Sequence, residues 1–260
     1  MSFNEAQSFY LFDIDDNILH LPTQIVVFAR RSTQTLSLST AEFARRHPGL
    51  SPQYMVREAS FRGFRDHPDC PTEQQPMVED ARRALAAAGS RADWQGPSWD
   101  AFAHAVRQQR PLAFVTARGH HPDTIKATIS VFVQAGWLPC EPNYLAIFPV
   151  GRDACRRALG DVELTLSTPE LKRRAIHEVV RLGLETYGGE ARHRFGMSDD
   201  DPSNLRLILQ AMRELKQQRP RCAFFVLDAS QVPLIQTEII EPHRREPARP
   251  VRAKPPQLGS

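Results

Sequence analysis

Long apolar stretches are missing from this chain of 260 residues. The longest uninterrupted runs, at residues 25–29 and 223–227, fall far short of the ~20 needed to cross a bilayer, so neither a membrane span nor a membrane partner is expected. Cysteine is sparse as well. The four present (Cys70, Cys140, Cys155, Cys222) form no C-x-x-C pair and no Cys/His zinc spacing, which excludes a disulfide framework and a zinc module and points to free thiols in a reducing compartment. Cys155 and Cys222 carry no nucleophile motif and read as buried or incidental thiols. Residues 1–4 hold neither a basic nor an apolar leader segment, so a cytoplasmic location is expected rather than secretion. Neither G-x-x-x-x-G-K-[ST] nor G-x-G-x-x-G occurs, which removes P-loop kinase and dinucleotide-oxidoreductase readings. The charge is nearly balanced, 33 basic against 30 acidic residues, so composition alone does not call for nucleic acid.

What is present is the profile of a soluble globular chain: 41% hydrophobic and 24% charged residues with a mean hydropathy of −0.42. Short apolar runs at 9–12, 112–115, 144–150, 194–197 and 223–227 have the size and continuity of buried parallel strands. Between them lie helical patterns at 123–135, 169–184 and 202–217, the second opening on Thr168 as N-cap with Pro169 at the first helical position. This alternation predicts an α/β fold, a Rossmann-like doubly wound parallel sheet with its site at the carboxyl ends of the strands. Residues 1–20 and 110–240 would form that core. Residues 21–109 read as an insertion, with a hairpin from the runs 23–31 and 35–39, a capping box at Ser39-Thr40-Ala41-Glu42, and helices at 77–88 and 99–109. Residues 241–260, rich in proline and basic side chains, read as a disordered tail.

The chemistry concentrates at strand ends. The run FYLFDIDDN delivers Asp13 and Asp15, then Asp16, directly after a strand, and crowded carboxylates repel one another unless a cation offsets them. Mg²⁺ is the natural candidate, being a hard ion that takes carboxylate and phosphate oxygens. A second acidic cluster, Asp199-Asp200-Asp201, follows the strand at 194–197; parallel strands would bring both clusters to one edge. Asp201 before Pro202 also fits a helix N-cap. Thr116 closes another strand and precedes Ala117, Arg118 and Gly119, whose hydroxyl, backbone N–H groups and guanidinium could hold phosphate oxygens. Lys172, near a helix start, could neutralise a phosphate.

In order and spacing, FDIDDN (Asp13, Asp15), LAFVTARG (Thr116), ELKRR (Lys172) and FGMSDDDPSN (Asp199, Asp200) resemble the four motifs of the haloacid dehalogenase (HAD) superfamily of phosphohydrolases. The resemblance spans residues 9–227. Two positions depart from the pattern: Asp16 stands where glycine is common, and Asn17 where threonine or valine is usual. Lys126 is another lysine, but it comes too early in the order. The resemblance implies a HAD core with a mainly helical C1-type cap at 21–109 and a flap hairpin beside the nucleophile. It implies a Mg²⁺-dependent phosphatase acting on a small or medium organic phosphate monoester through an aspartyl-phosphate. Asp13 would be the nucleophile and Asp15 the general acid and base. Thr116, Ala117 and Lys172 would bind phosphate. Asp13, the backbone carbonyl of Asp15, and Asp199 or Asp200 would hold the metal. Arg118, His120 and His121 are candidates for substrate contact, each with a solvated loop as the alternative.

Two other readings remain open at this point. A phosphomutase would use the same site. A non-catalytic HAD-like binding protein would use the basic tail (Arg244, Arg245, Arg249, Arg252, Lys254) to hold nucleic acid or an acidic partner. Intact Asp13 and Asp15 argue against the latter.

Overall fold

Apolar runs become sheet, and the sheet places every acid of interest. The computed structural model describes residues 5–50, 52–231, 233–240 and 248–250. In chain order the strands and helices are β1 (Ser8–Phe12), β2 (Ile25–Ala29), β3 (Thr35–Leu38), α1 (Thr40–Leu50), β4 (Tyr54–Met55), α2 (Pro76–Ala87), α3 (Trp99–Arg107), β5 (Leu112–Thr116), α4 (Pro122–Gln134), β6 (Tyr144–Pro149), α5 (Asp153–Ala158), α6 (Thr168–Tyr187), β7 (Arg194–Asp199), α7 (Pro202–Gln218), β8 (Ala223–Asp228), β9 (Ile235–Ile239) and β10 (Ala248–Pro250). Short 3₁₀ turns intervene, the longest at Glu58–Phe64.

One seven-stranded sheet runs in the order β10-β9-β8-β7-β1-β5-β6. The five strands from β8 to β6 are mutually parallel, and β9 and β10 extend the sheet antiparallel beyond β8. This is a Rossmann-like α/β arrangement, with helices on both faces. The pleat decides which residue goes where: Phe9 and Leu11 of β1 join the cluster under α6 and α7, whereas Tyr10 and Phe12 face the cluster under α2, α3 and α4. Leu171, Ala175, Ile176 and Val179 line α6 at helical spacing, and Ile208, Met212 and Leu215 line α7. Fully burying each large side chain of this kind stabilises the fold by about 1.5–3 kcal/mol.

The helix starts follow from their caps. α7 begins as expected, the Asp201 carboxylate accepting from Ser203 N–H at 2.7 Å. α6 begins one residue earlier than expected. Ser167, not Thr168, is the N-cap, because Glu170 at the third helical position reaches back to Ser167 N–H at 2.9 Å and closes a capping box.

The segment 21–109 does not behave as one unit. α2 and α3 bury Met77, Val78, Ala81, Trp99, Phe102 and Val106 in the same cluster as Phe12, Phe114 and Ile129, so they form a layer on the main sheet. Only the part around β2, β3, α1, β4 and the Glu58–Phe64 turn stands apart, as a three-stranded lobe in the order β3-β2-β4 with its own small core of Ile25, Val27, Leu38 and Phe64. The physical reason is the apolar stripes on these helices: α3 packs against β1, and α2 packs against α4 in the same cluster. At the neck of the lobe the chain passes side by side: a Cβ on Gly63 would come within 3.1 Å of the Thr23 methyl group.

Most of the tail expected to be disordered, 241–260, lies outside the described residues. Ala248–Pro250 are described and pair with β9, so those three residues form a strand. Among the described residues no helix is long and apolar enough to cross a membrane.

Candidate active site

β1 lies between β5 and β7 and all three run parallel, so the residues that leave their carboxyl ends meet at one edge. These are Asp13 after β1, Thr116 at the end of β5, and Asp199 at the end of β7. The acid-bearing loops are pinned by Asn17, which is wholly buried. Its Nδ2 donates to the Asp13 carbonyl at 3.0 Å and the Ser198 carbonyl at 3.1 Å, and its Oδ1 accepts from Ser198 Oγ at 2.8 Å. Ser98, before α3, meets Ser198 Oγ at 2.6 Å and extends the network. Each bond here satisfies a buried group that would otherwise cost about 1–3 kcal/mol.

Lys172 reaches the edge from the second turn of α6 and is 1% exposed. Its ammonium sits 2.7 Å from Asp199 Oδ2 and 3.1 Å from Asp13 Oδ1. Burial alone would pull the Lys172 pKa down, but the two carboxylates outweigh it and hold it above its ordinary value. Asp199 is fully engaged, since its other oxygen accepts from Asn204 Nδ2 and Asp201 N–H, each at 3.0 Å. Lys126, by contrast, lies exposed on α4 against Asp123 at 3.5 Å and has no part in the edge.

Asp13, Asp199 and Asp200 can each offer an oxygen within 4.8 Å of the others. Burial, with Asp199 and Asp15 adding to it against Lys172, pushes the Asp13 carboxyl up to about 7. Burial, then Asp13, Asp199 and Asp16, pushes Asp200 up to about 8. Apart from the Lys172 ammonium, no donor reaches buried Asp13 Oδ1 among the described residues. Three hard oxygen donors within reach of one another, two of them with carboxyls pushed up by burial and by their neighbours, suit a divalent cation such as Mg²⁺. Asp200, half-buried and without a hydrogen-bond donor among the described residues, is the more open of the two β7 acids. The Asp15 side chain lies outside this trio.

Asp15 is turned to Arg118 instead. Arg118 is wholly buried; its Nε lies 2.8 Å from Oδ2 and its Nη2 lies 2.6 Å from Oδ1, a side-on pair. Nη2 also donates to Thr23 Oγ1 at 2.9 Å, and the guanidinium stacks 4.7 Å over the Phe64 ring of the lobe. The expected substrate contact is thus a clamp on the expected acid. Thr116 is buried with its Oγ1 accepting from Arg118 N–H at 3.3 Å, and Ala117 is exposed on the loop. That loop is held tightly from below, where any side chain on Gly151 would collide with the Ala117 carbonyl. His121 is exposed and caps α4, whereas His120 is wholly buried.

Asp16 takes the left-handed conformation, φ 55°, which a non-glycine residue adopts at a cost of about 1 kcal/mol. Burial works to raise its pKa, but hydrogen bonds from His20, at 3.0 Å, and from Thr40 at the start of α1 outweigh it and keep the group below its ordinary value. The lobe is therefore tied to the edge at Asp16 as well as at Arg118. Sequence reasoning did not find the Asn17–Ser198–Ser98 network or the burial of Arg118 and His120. The only available signal was the dense punctuation of polar residues after the strands.

Compared with known proteins, the chain matches no family model, no curated sequence and no solved structure.

Proposed function

We propose that this chain is a Mg²⁺-dependent phosphatase of the HAD type that hydrolyses a small or medium phosphate monoester. The observation that carries the reading is the convergence of Asp13, Lys172, Asp199 and Asp200 on one strand edge, in the order of the motifs they resemble. In the first step an Asp13 carboxylate oxygen bonds to phosphorus, the bond to the ester oxygen breaks, and Asp15 gives its proton to the leaving alcohol. In the second, Asp15 takes a proton from water, whose oxygen bonds to phosphorus as the Asp13–phosphorus bond breaks. Both Asp15 oxygens accept from Arg118 in this conformation, so Arg118 has to release one before Asp15 can carry the proton.

Asp13 and Asp200, with Asp199 beside them, would hold Mg²⁺, which would screen the repulsion between nucleophile and phosphoryl oxygens and orient both. Lys172 favours the Asp13 anion against the burial that raises its pKa, and offers its remaining N–H to a phosphoryl oxygen, aided by the Thr116 hydroxyl. The lobe, resting on Arg118 and Asp16, would serve as the cap that excludes water during transfer.

The deciding experiment measures phosphate release from an aryl phosphate and a metabolite panel, with Mg²⁺ or EDTA, alongside Asp13→Asn. Turnover that requires Mg²⁺ and disappears in the variant supports the reading; equal inactivity of both proteins on every substrate overturns it.

A further inference from the structure

Seven buried side-chain polar atoms lack a hydrogen-bond partner among the described residues, and four of them lie along one seam. These are Arg118 Nη1, both ring nitrogens of His120, and Asp66 Oδ1. The seam is where the lobe closes on the loop after β5. Gly119 N–H donates to the Phe64 carbonyl at 2.8 Å, His121 N–H donates to Asp66 Oδ2 at 2.7 Å, and Phe64 covers the Arg118 guanidinium. Buried polar atoms are rarely left without partners, because each forfeits its hydration for nothing. A concentration of them beside Asp15 marks a place where a ligand completes the hydrogen bonding.

The atoms available define that ligand. Arg118 Nη1 donates, Asp66 Oδ1 accepts, and a neutral imidazole does one of each. Burial, with Arg118 and His67 adding to it, pushes His120 down to about 2, so the ring stays uncharged in use. The Arg118 charge is already met by Asp15, and Arg65, next along the lobe, is paired with Glu58 at 2.7 Å. Besides these paired arginines, the cationic group acting on His120 is the His67 imidazole, which carries no fixed charge, and the Asp66 carboxylate would repel a second anion. Alternating donors and acceptors without excess charge match adjacent hydroxyl groups.

We propose that this seam is a leaving-group subsite for a neutral polyol, so that the substrate is a sugar or sugar-alcohol phosphate read by Arg118 Nη1, His120 and Asp66. The assignment rests on the phosphatase reading for its chemistry but makes its own claim about binding. One face of Arg118 holds Asp15, which protonates the leaving oxygen, and the other reaches the hydroxyls of the same leaving group. For the polyol to enter, the Phe64–Asp66 stretch has to lift from the loop.

The test compares kcat/KM for D-ribose 5-phosphate, ethyl phosphate and fructose 1,6-bisphosphate in the wild-type chain, Asp66→Asn and His120→Leu. The ribose ester is expected to exceed ethyl phosphate by about a hundredfold, and each variant to cut that ratio by about tenfold, one hydrogen bond's worth. Asp66→Asn keeps the shape and the bond to His121 N–H while replacing an acceptor with a donor, so it serves even if His120→Leu fails to fold. Equal use of ribose and ethyl esters, preference for the bisphosphate, or an unmoved ratio in Asp66→Asn would overturn the proposal and leave the seam to water. If no ester is turned over, the phosphatase reading fails separately. Calorimetry with D-ribose 5-phosphate then decides the subsite: binding weakened in Asp66→Asn supports it, and absence of binding overturns it.

Discussion

Arg118 closes side-on over Asp15, with contacts of 2.8 and 2.6 Å, and the guanidinium is entirely shielded from solvent. The two residues are 103 positions apart. One leaves β1 and the other leaves β5, and their bond also draws in Thr23 and Phe64 at the base of the lobe. The pair is a joint between site and lobe.

Removing one partner of such a pair leaves the other buried and uncompensated. Arg118→Leu is expected to lower the unfolding free energy by about 3 kcal/mol, measured by urea titration. Asp15→Asn should cost less, because an amide can still accept one hydrogen bond from the guanidinium. Equal stability of Arg118→Leu and wild type would show that the clamp contributes nothing.

Lys172 faces two carboxylates with almost no water to screen them. Lys172→Met is expected to destabilise the chain by about 3–5 kcal/mol. On the proposed phosphatase reading, phosphate release should fall by at least ~10²-fold, since the variant loses the charge that reading assigns to the phosphoryl group. The check is a denaturant titration paired with a phosphate-release assay.

Mg²⁺ is expected to raise the melting temperature. Ligand at a hundredfold excess over its Kd adds about 2.7 kcal/mol, or very roughly 2–4 °C per kcal/mol for a chain of this size. Asp200→Asn should abolish most of the rise, because Asp200 is the trio's most open carboxylate. A thermal melt with and without EDTA reads both results directly.

His120 predicts an acid sensitivity. Its pKa in the folded chain is about 2 and its ordinary value 6.5, so below pH 6.5 the unfolded chain takes up a proton that the native chain refuses. Stability tied to this residue is therefore present above pH 6.5 and is lost as pH falls, at up to about 1.4 kcal/mol per unit. Between pH 7.5 and pH 5.0 the wild type should lose about 2 kcal/mol more than His120→Leu. Parallel slopes in urea titrations of the two proteins would refute the assignment.

Much of the sheet was legible because its parallel strands are continuous apolar runs that stop abruptly at acids or at Thr116. Helices α6 and α7 announced themselves through Pro169 and Pro202 at their first turns, and α4 through the apolar spacing of Ile125, Ile129, Phe132 and Val133. β9 was not legible: IQTEI alternates weakly and borrows its regularity from β8. The boundary of the lobe was hidden for a different reason, since the stripes on α2 and α3 say that they are buried but not against what. Within the site, the acids Asp13, Asp199 and Asp200 could be placed on one edge from the parallel strands, whereas Lys172 joined them only through the resemblance in motif order. Arg118 could not be placed inward, because a lone arginine in a loop reads as solvated until its carboxylate partner, far off in sequence, is brought to it. Asp16 in a left-handed turn and the Asn17 staple likewise depend on backbone geometry rather than residue type.

The neck where Thr23 lies against Gly63 has a consequence for how this chain can vary. A segment whose two ends already touch imposes almost no demand on the body it leaves, and lengthening such a loop costs only the logarithm of its size. The lobe is in that sense a cassette. Its contents could be shortened, enlarged or exchanged while the sheet, with Asp13 and Lys172, stayed in register, provided the Phe64 contact on Arg118 and the Thr40 bond to Asp16 were kept. A side chain at Gly63 would have to push the Thr23 methyl group back by a few tenths of an ångström, so the neck favours a small residue there.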